Sequence, residues 1–374
     1  MVDEVKYKKI ASLLESEIRI GKYADSPLPS EMQLVRRLGV GRKTVQRAML
    51  ELQYRGIVMR KHGKGTFLTK RGANLTGLLG LLIPDASALS FFQSFAREIA
   101  RVGQENGYTF LYGEAAAGSA ESVARQTRRF ARDFAARRVE GVIFRPIVDE
   151  NYSRVNEEVV EIFRKAGLPV VLVDSDIVSY PRRSGFDIVG INNVLCGQRI
   201  AEYLIGIGRR RIAFLFNDEP LGISANLRSR LFGLSGAVSA SGCRWSDDNV
   251  IRLAPGDANG FKRLFRRRFR PEAIVCGNDA VAIKLMQTLS AIGKCVPEDV
   301  AIVGFDDIDS ASLSVPSLTT VHQPIARMAE CAFEVLQDRM RRPEGVPREI
   351  LLDAPLVERN STVSHKAAKR KDKR

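Results

Sequence analysis

The sequence has little of what marks membrane, secreted or metal-binding proteins. Its 374 residues contain no run of about 18 uncharged apolar residues, so we expect no membrane-spanning helix. The opening residues MVDEVK form no apolar segment of a secretory signal. Five cysteines, an odd number without a CxxC pair, argue against a disulfide framework and exclude a cysteine-only zinc site. With three widely separated histidines we expect no metal site, and we predict a cytoplasmic protein with no membrane partner.

Motifs of cofactor-dependent enzymes are also missing. There is no GxGxxG, because Gly206-x-Gly208 lacks the third glycine, and no GxxxxGK[ST], HExxH or GxSxG. Asp306 and Asp307 are adjacent, but neighbours on one tight loop rarely act as an acid–base pair. We expect neither catalysis nor a cofactor. The alternative is an enzyme of sugar or nucleotide metabolism with an accessory basic domain, which turnover of a candidate sugar would favour.

Positive charge is present in excess, and it is concentrated. The formal net charge is +15. Residues 1–70 carry 15 Lys and Arg against 7 Asp and Glu, and residues 365–374 carry 6 against 1, whereas the 294 residues between carry 37 against 35. Such concentration is typical of proteins that bind a polyanion. We predict that the basic tail, 364–374, is disordered, and that it is either merely solvated or adds nonspecific DNA affinity.

The first 70 residues predict a winged helix-turn-helix. An amphipathic helix covers roughly 5–21, a second begins at the N-cap Ser30 and ends before Gly39, and a third covers about 42–55. Two short strands, 57–60 and 66–68, surround the turn KHGKG. A small helical bundle with a solvated basic face is the simpler alternative.

The predicted third helix has two unlike faces. Its apolar stripe consists of Val45, Ala48, Met49 and Leu52. At about 100° per residue, the opposite face presents Lys43, Gln46 and Arg47. The polar face fits a DNA major groove, and the hairpin presents Arg60, Lys61, His62 and Lys64 to the adjacent backbone or minor groove.

The run LPSEMQLVRRLGVGRKTVQRAMLELQYRGIVMRKHGKGTFL resembles the GntR-type winged-helix repressor domain, over about residues 5–70. The resemblance implies DNA contacts from the start of the third helix and from the wing. By position these are Arg42, Lys43, Thr44 and Gln46, with His62, Gly63 and Lys64 at the wing; Ser30 and Arg47 complete our set of candidate DNA-binding residues. Gly41 departs from the usual Ser or Thr, and Met32 and Gln46 stand where many members have arginine, so we expect an operator unlike common family sites.

After a polar linker, residues 71–76, the pattern changes. Apolar runs of four to seven residues alternate with helical patterns, at 77–83, 109–112, 141–144, 169–173, 188–191, 212–216, 273–276 and 300–304. Runs that are apolar throughout suit strands buried on both faces, which predicts an α/β fold with parallel sheets. Nearly 290 residues fit two similar lobes better than one sheet.

Polar residues follow many of these runs. Because ligands bind beyond the carboxyl ends of parallel strands, they suit a polar or hydroxyl-rich ligand. The set comprises Asp85, Arg145, Asp174, Asn217, Asn278-Asp279 and Asp306-Asp307. Each alone is more often a helix cap or loop residue than a ligand contact, and Asn278 is a natural N-cap.

Several runs, among them VEGVIFRPI, PEAIVCGNDAVAIKLM, VPEDVAIVGFDDID and SLTTVHQPI, resemble the LacI/GalR regulator sensor, itself similar to periplasmic sugar-binding proteins. The match spans about residues 77–360 and implies two lobes, a cleft, three crossovers and a homodimer. By motif position the effector-binding residues are Arg230, Asp306, Asn278, and Phe91 or Phe92, with Asp85, Arg145, Asn193 and Gln323 as further candidates. Ala258 stands where the family has a cleft aromatic, a departure that bears on effector identity.

A GntR-type head on a LacI/GalR-type sensor resembles the arabinose-responsive repressors of some bacteria. We therefore predict a ligand-controlled repressor: residues 1–70 bind duplex operator DNA, and residues 77–363 bind a small polar effector, with a sugar as the expected class. An extracellular solute carrier fits less well, because it would not need a DNA-binding head. The smaller chorismate-lyase-like sensor of many GntR-type regulators also fits less well, because it is too short for this region.

Overall fold

The structure is a computed structural model, and it describes residues 2–24, 26–73, 75–84, 90–115, 119–147, 152–178, 182–216 and 225–363. The predicted disordered tail, 364–374, lies outside these residues. The N-terminal part, which we call the head, contains α1 (Val2–Arg19), α2 (Glu31–Leu38), α3 (Arg42–Tyr54), β1 (Val58–Lys61), β2 (Gly65–Leu68) and the single-turn α4 (Lys70–Ala73). This is the predicted winged helix-turn-helix.

Local sequence fixes the ends of α2. The Ser30 hydroxyl accepts a hydrogen bond from the Gln33 backbone N–H, and the Gln33 side chain accepts one from the Ser30 backbone N–H. This capping box satisfies two donors that a helix start leaves free. At the other end Gly39 adopts the left-handed conformation, with φ 63°. The predicted bounds of this helix are thus confirmed.

The core of the head differs from the predicted pattern at one position. Ile10, Leu14 and Ile18 are buried as expected, but Leu13 is 45% exposed and Ala11 is buried instead. At about 100° per residue, Leu13 points about 100° away from the mean direction of Ile10, Leu14 and Ile18, whereas Ala11 points only about 60° away from it.

The segment predicted as a linker packs onto the head. Lys70–Ala73 forms one helical turn, and Leu75 is buried in the head core. Gly72 lies so close to β1 that a Cβ built there would approach the Ile57 carbonyl oxygen to 2.1 Å. Only a glycine fits, and the chain leaves the head as a packed segment.

The first lobe of the sensor, lobe 1, is a six-stranded parallel sheet in the order β13-β7-β6-β5-β3-β4. Its elements are β3 (Leu78–Leu82), α5 (Ser90–Glu105), β4 (Thr109–Gly113), α6 (Ala120–Ala136), β5 (Val142–Phe144), α7 (Ser153–Lys165), β6 (Val170–Val173), β7 (Asp187–Ile191), α13 (Ile325–Arg341) and β13 (Glu349–Leu352). Strands β5, β6 and β7 are buried throughout, as their apolar sequences predicted.

The second lobe, lobe 2, is a four-stranded parallel sheet in the order β11-β10-β8-β9. It comprises α8 (Asn193–Gly206), β8 (Ile212–Phe216), α9 (Ala225–Ala240), a 3₁₀ turn (Asp247–Asn249), β9 (Val250–Arg252), α10 (Ala258–Leu264), β10 (Ala273–Cys276), α11 (Asp279–Ala291), β11 (Ala301–Val303), α12 (Asp309–Leu313), and the antiparallel pair β12 (Thr320–Val321) and β14 (Leu356–Val357). The α/β fold with two parallel-sheet lobes is confirmed.

The chain passes between the lobes three times. It crosses after β7, again between β12 and α13, and a third time between β13 and β14. Asp174, which follows β6 in lobe 1, accepts a hydrogen bond from Asn226 of lobe 2, so the two carboxyl edges face each other across the cleft. Among the described helices, none is long and apolar enough to cross a membrane.

The head contacts lobe 1 at the amino ends of its strands. The Arg19 guanidinium donates to the carbonyl of Gly107, just before β4, and packs over the Tyr108 ring at 4.2 Å. At the far end of α13, Arg342 donates to the Tyr54 hydroxyl of α3. The head and the cleft therefore lie at opposite edges of the lobe 1 sheet.

Candidate functional site

Helix α3 presents its predicted polar face to solvent. Val45, Ala48, Met49 and Leu52 are buried, which confirms the apolar stripe. Arg42, Lys43 and Arg47 are exposed, and Thr44 and Gln46 are half-buried at the same end of the helix. The Gly41 N-cap provides no side-chain hydrogen bond, so the first N–H groups of α3 are not capped by a side chain. Free N–H groups and cations at one helix end form a surface that fits a phosphate.

Glu31 connects three residues of this surface. One carboxylate oxygen accepts from the Gln46 amide at 3.2 Å and lies 4.0 Å from Arg42 Nε, while the other lies 3.5 Å from an Arg60 nitrogen on β1. Arg42 and Arg60 nonetheless stay 67% and 69% exposed. Glu31 was not among our candidate residues, so sequence analysis missed its contacts with both α3 and the wing.

The basic residues of the wing are exposed to solvent. Arg60, Lys61, His62 and Lys64 are all exposed around the β1–β2 turn. Gly63 and Gly65 have φ of +71° and +108°, values that only glycine adopts without strain. Ser30, by contrast, uses its hydroxyl in the α2 capping box. The structure thus gathers the α3 and wing candidates on one exposed surface and gives Ser30 a local structural contact.

Arg230 is the buried cation of the cleft. It extends from α9, is 7% exposed, and donates to Asn193 Oδ1 at 2.8 Å and to the Gly277 carbonyl at 2.7 Å. Its guanidinium carbon lies 3.4 Å from the centre of the Phe305 ring. Burial lowers the pKa of this arginine, and nearby Asp306 opposes that shift. Two predicted site residues, Arg230 and Asn193, are therefore in direct contact.

Asp306 lies at the carboxyl end of β11, in a backbone conformation with φ of +110°. Its Oδ1 accepts from the Gln323 amide at 2.6 Å, and the opposite atom of that amide, Oε1, is buried with no partner among the described residues. Burial raises the pKa of Asp306 to about 7, although Arg230 acts to lower it. A buried acceptor without a partner costs about 1–3 kcal/mol, unless something donates to it.

The lobe 1 side of the cleft has its own charged cluster. Arg145 Nε lies 3.5 Å from Asp174 Oδ2, both groups are buried, and the Arg145 guanidinium packs over the Phe92 ring at 4.3 Å. Asp174 Oδ1 accepts from Asn226 of lobe 2 at 2.9 Å. Asp174 belongs to our set of strand-end residues that suit a polar ligand, but neither it nor Asn226 was among the effector-binding candidates chosen by motif position. The position of Asp174 after an apolar run was the only signal, and Asn226 had none.

The remaining effector-binding candidates have different places in the structure. Phe91 and Phe92 are buried and pack edge to face at 4.8 Å. Asn278 Oδ1 caps α11 by accepting from the Val281 N–H, as its sequence position suggested. Asp85 lies outside the described residues. Nowhere in the described ranges do three or more metal-ligating side chains cluster.

A third buried cluster joins the head to lobe 1. Glu15 of α1 is 2% exposed; it pairs with Arg19 and with Arg55 at 2.9 Å, and accepts from the Tyr108 hydroxyl at 3.3 Å. Nearby, Arg341 lies 3.9 Å from Glu51 of α3. Since α13 begins beside Gln323 in the cleft and ends here, one helix connects the cleft to α3.

Two family matches cover the head and much of the sensor. Residues 6–68 match bacterial regulatory proteins of the gntR family, and residues 201–362 match the periplasmic binding protein-like domain. The ribose operon repressor of Escherichia coli strain K12 is 30% identical over 291 residues, 77% of this chain and 83% of that protein. The chain belongs to this family of bacterial repressors.

Other relatives agree with this assignment. An arabinose metabolism transcriptional repressor of Halalkalibacterium halodurans is 26% identical and aligns over 98% of this chain and 99% of its own. The solved complex of the transcriptional regulator CelR with cellobiose has a TM-score of 0.65 at 22% identity, covers 89% of this chain and 100% of that one, and supports the fold. The protein is thus a ligand-responsive, DNA-binding transcriptional regulator and not an enzyme.

Proposed function

We propose that this regulator is a repressor that senses a neutral, polyhydroxylated small molecule, a sugar, in the cleft between its lobes. The domains we assign are residues 1–70 for DNA binding, 71–76 as connector and 77–363 as sensor. The protein would act beside the chromosome, in the cytoplasm.

The single observation that carries the proposal is the pairing of charge in the cleft. Each buried arginine has a carboxylate close by: Arg145 contacts Asp174, and Arg230 lies near Asp306. A site with its charges already balanced favours a neutral ligand over a phosphorylated one, because burying an uncompensated charge is costly. Carboxylates and amides with spare oxygen atoms, such as Gln323 Oε1, suit hydroxyl donors.

Aromatic side chains add a second feature of sugar sites. Phe92 and Phe305 lie under Arg145 and Arg230 at the two sides of the cleft. Both rings are buried, so they would hold the two guanidinium groups in position to donate to the hydroxyls of a sugar. The ribose, arabinose and cellobiose in the names of the relatives are all sugars, which supports the same class.

The two identical heads of a homodimer would bind the two halves of a near-palindromic operator. Ligand closes the cleft, and closure changes how lobe 1, and the head docked on it, is placed relative to its dimer partner. A coupling of about 1–3 kcal/mol is enough. One bidentate contact to guanine contributes about the same free energy. Loss of one such contact, through a small displacement of one recognition helix, would therefore be enough.

A thermal-shift screen of the full chain tests the effector class. The probes are neutral pentoses, hexoses and disaccharides, with sugar phosphates and purine nucleosides as comparison groups. A ligand at a hundredfold excess over its Kd stabilises the folded protein by about 2.7 kcal/mol. We expect stabilisation by at least one neutral sugar. Stabilisation only by phosphorylated sugars or by nucleosides would contradict the proposed class.

A further inference from the structure

Lobe 2 carries a dense row of arginines that neither the head nor the cleft uses. Six of the nine residues from Lys262 to Arg270, the sequence KRLFRRRFR, are cationic. Leu264, Phe265 and Phe269 pack into the core of lobe 2, and all six cations are exposed. The turn after α10 therefore folds its apolar residues inward and holds its arginines in solvent.

A second basic run lies against the first. Arg209, Arg210 and Arg211 immediately precede β8, and the Arg211 guanidinium donates to the Arg270 carbonyl at 2.8 Å. Arg270 in turn donates to the Arg267 carbonyl at 3.3 Å. We call this surface the arginine edge, and it consists of Arg210, Arg211, Arg266, Arg267, Arg268 and Arg270.

Most guanidinium groups of the arginine edge have no carboxylate partner among the described residues. Glu272 pairs with Arg211 at 2.8 Å and accepts from the backbone N–H groups of Arg210 and Arg211. Within the described chain, no carboxylate pairs with the other five guanidinium groups of the arginine edge. A surface built only for solubility mixes both signs of charge. Like charges held together repel, and an anionic partner relieves that repulsion.

The side chains at the arginine edge distinguish between classes of anionic partner. Guanidinium groups bind phosphates through two parallel hydrogen bonds. No exposed large apolar or aromatic side chain occurs in 209–211 or 262–272. Single-stranded nucleic acid needs aromatic rings for base stacking, and a protein partner needs buried aromatic or apolar anchors. The phosphates of a duplex need neither.

The arginine edge lies far from the head. It sits at the amino ends of β8 and β10, whereas the cleft lies at the carboxyl ends of the same sheet, and the head docks at the amino ends of lobe 1. The DNA segment under the head is therefore out of its reach. We propose that the arginine edge binds the phosphate backbone of a second segment of duplex DNA, so that one regulator molecule holds two DNA segments.

The test weakens DNA binding by the head, so that the contribution of the arginine edge can be measured. In a full-length protein with Arg42→Ala and Lys43→Ala, binding of a fluorescent random-sequence duplex of about 30 bp is measured by anisotropy in a salt series of about 50–200 mM. Adding R266Q, R267Q and R268Q should lower the slope of log K against log salt by about 2–3, since each lost phosphate contact removes about 0.9. The single change Arg268→Gln should lower it by about one.

A matched control carries the same change in charge elsewhere. Arg125, Arg129 and Arg132 are exposed on α6 of lobe 1, and their replacement by glutamine should leave the slope unchanged. Equal losses in the two triple variants would overturn the proposal, because only net charge would then matter. Tighter binding of a single strand, or displacement of the duplex by polyglutamate at equal charge concentration, would overturn the assignment to duplex phosphates.

With the head intact, the protein should also capture a second labelled duplex onto bead-bound DNA. That capture should fall at least fivefold in the lobe 2 triple variant and persist in the α6 control. If the lobe 2 triple variant and the control capture the second duplex equally, the two heads of a dimer do the bridging and the proposal fails. The replacements at 266–268 should leave the unfolding temperature unchanged, because no hydrogen bond or ion pair of these side chains is present among the described residues.

Discussion

The DNA-binding surface of the head and the cleft of the sensor both contain arginines, but they hold them in opposite ways. Arg42 and Arg60 are about two-thirds exposed and share the single carboxylate of Glu31. Arg145 and Arg230 are almost fully buried, and each has an acid nearby and an aromatic ring beneath its guanidinium. The exposed arginines of the head keep positive charge that can bind a polyanion. The buried arginines of the cleft are already paired with acids, so the cleft can bind a small neutral molecule through its shape and its hydrogen-bonding atoms.

This difference predicts different responses to mutation. Removing an exposed cation should weaken binding by a modest, salt-dependent amount, because water and counterions screen it. Removing one member of a buried set should cost more, because its former partners stay buried without compensation. The Glu15 cluster between head and sensor belongs to the buried kind, although it binds no ligand.

The largest effect is expected at Glu15. Glu15→Ala leaves Arg19 and Arg55 without their shared carboxylate in a buried contact, which should cost about 3–5 kcal/mol of unfolding free energy in a denaturant titration. Glu98→Ala, which breaks a solvent-screened pair with Arg101 on α5, should cost far less. Similar costs for the two variants would show that the buried cluster does not hold the head on lobe 1.

The next effect is expected at Arg230. Arg230→Ala removes the donor to Asn193 and Gly277 and should weaken effector binding by about 2–5 kcal/mol, roughly 30-fold to several-thousand-fold. DNA affinity without effector should stay within about twofold of the wild type. Arg129→Ala, an exposed arginine of lobe 1, serves as the control. Loss of DNA binding in Arg230→Ala would mean that this residue supports the fold and not the ligand.

A smaller effect is expected on the exposed surface. Arg42→Ala and Lys43→Ala should each weaken DNA binding by about 1–3 kcal/mol if they contact bases, with the loss confined to certain sequences. If they contact phosphates, the loss should be uniform and the salt slope should fall by about one for each. Lys9→Ala, exposed on α1, should change neither. An equal loss in all three variants would argue against α3 as the recognition helix.

A further prediction concerns the dependence of stability on pH. The pKa of Asp306 is raised by burial to about 7, above its ordinary value of 3.8. The folded protein therefore binds this proton more tightly than the unfolded chain, so the stabilisation is complete below about pH 4 and is lost as pH rises through 7. Unfolding temperature should fall across this range in the ligand-free protein, and Asp306→Asn should flatten the fall. An unchanged pH profile in that variant would assign the dependence to another group, such as Asp279.

Much of the fold could be predicted because its signals are local. The apolar stripe of α3 follows from a period of 3.6 residues, and strands such as β6 (VVLV) are continuous apolar runs because helices cover both faces. Strand β13 gave no such signal, since its residues Glu349–Leu352 alternate between exposed and half-buried positions at the edge of the sheet. Its place beside β7, far away in sequence, is set by a crossover that no local pattern encodes.

The place of a candidate residue in the fold was predictable where one short motif holds it. Arg230 and Asp306 follow from family motifs, and the structure places both in the cleft. Contacts between distant segments could not be foreseen: Glu15 meets Tyr108 across 93 residues, and Asn226 meets Asp174 from the opposite lobe. The sequence does not show whether a carboxylate caps a helix or contacts another domain, because the tertiary fold determines which residue becomes its partner.

The most direct test of the account is a measurement of coupling in the intact protein. A neutral sugar that raises the unfolding temperature is added at saturation, and the affinity for a DNA fragment selected by the protein from random sequence is measured with and without it. We predict a change of about 5- to 150-fold, and the same factor in sugar affinity when DNA is saturating, because coupling between sites is reciprocal. An unchanged DNA affinity at saturating sugar would contradict the claim that the cleft controls the head.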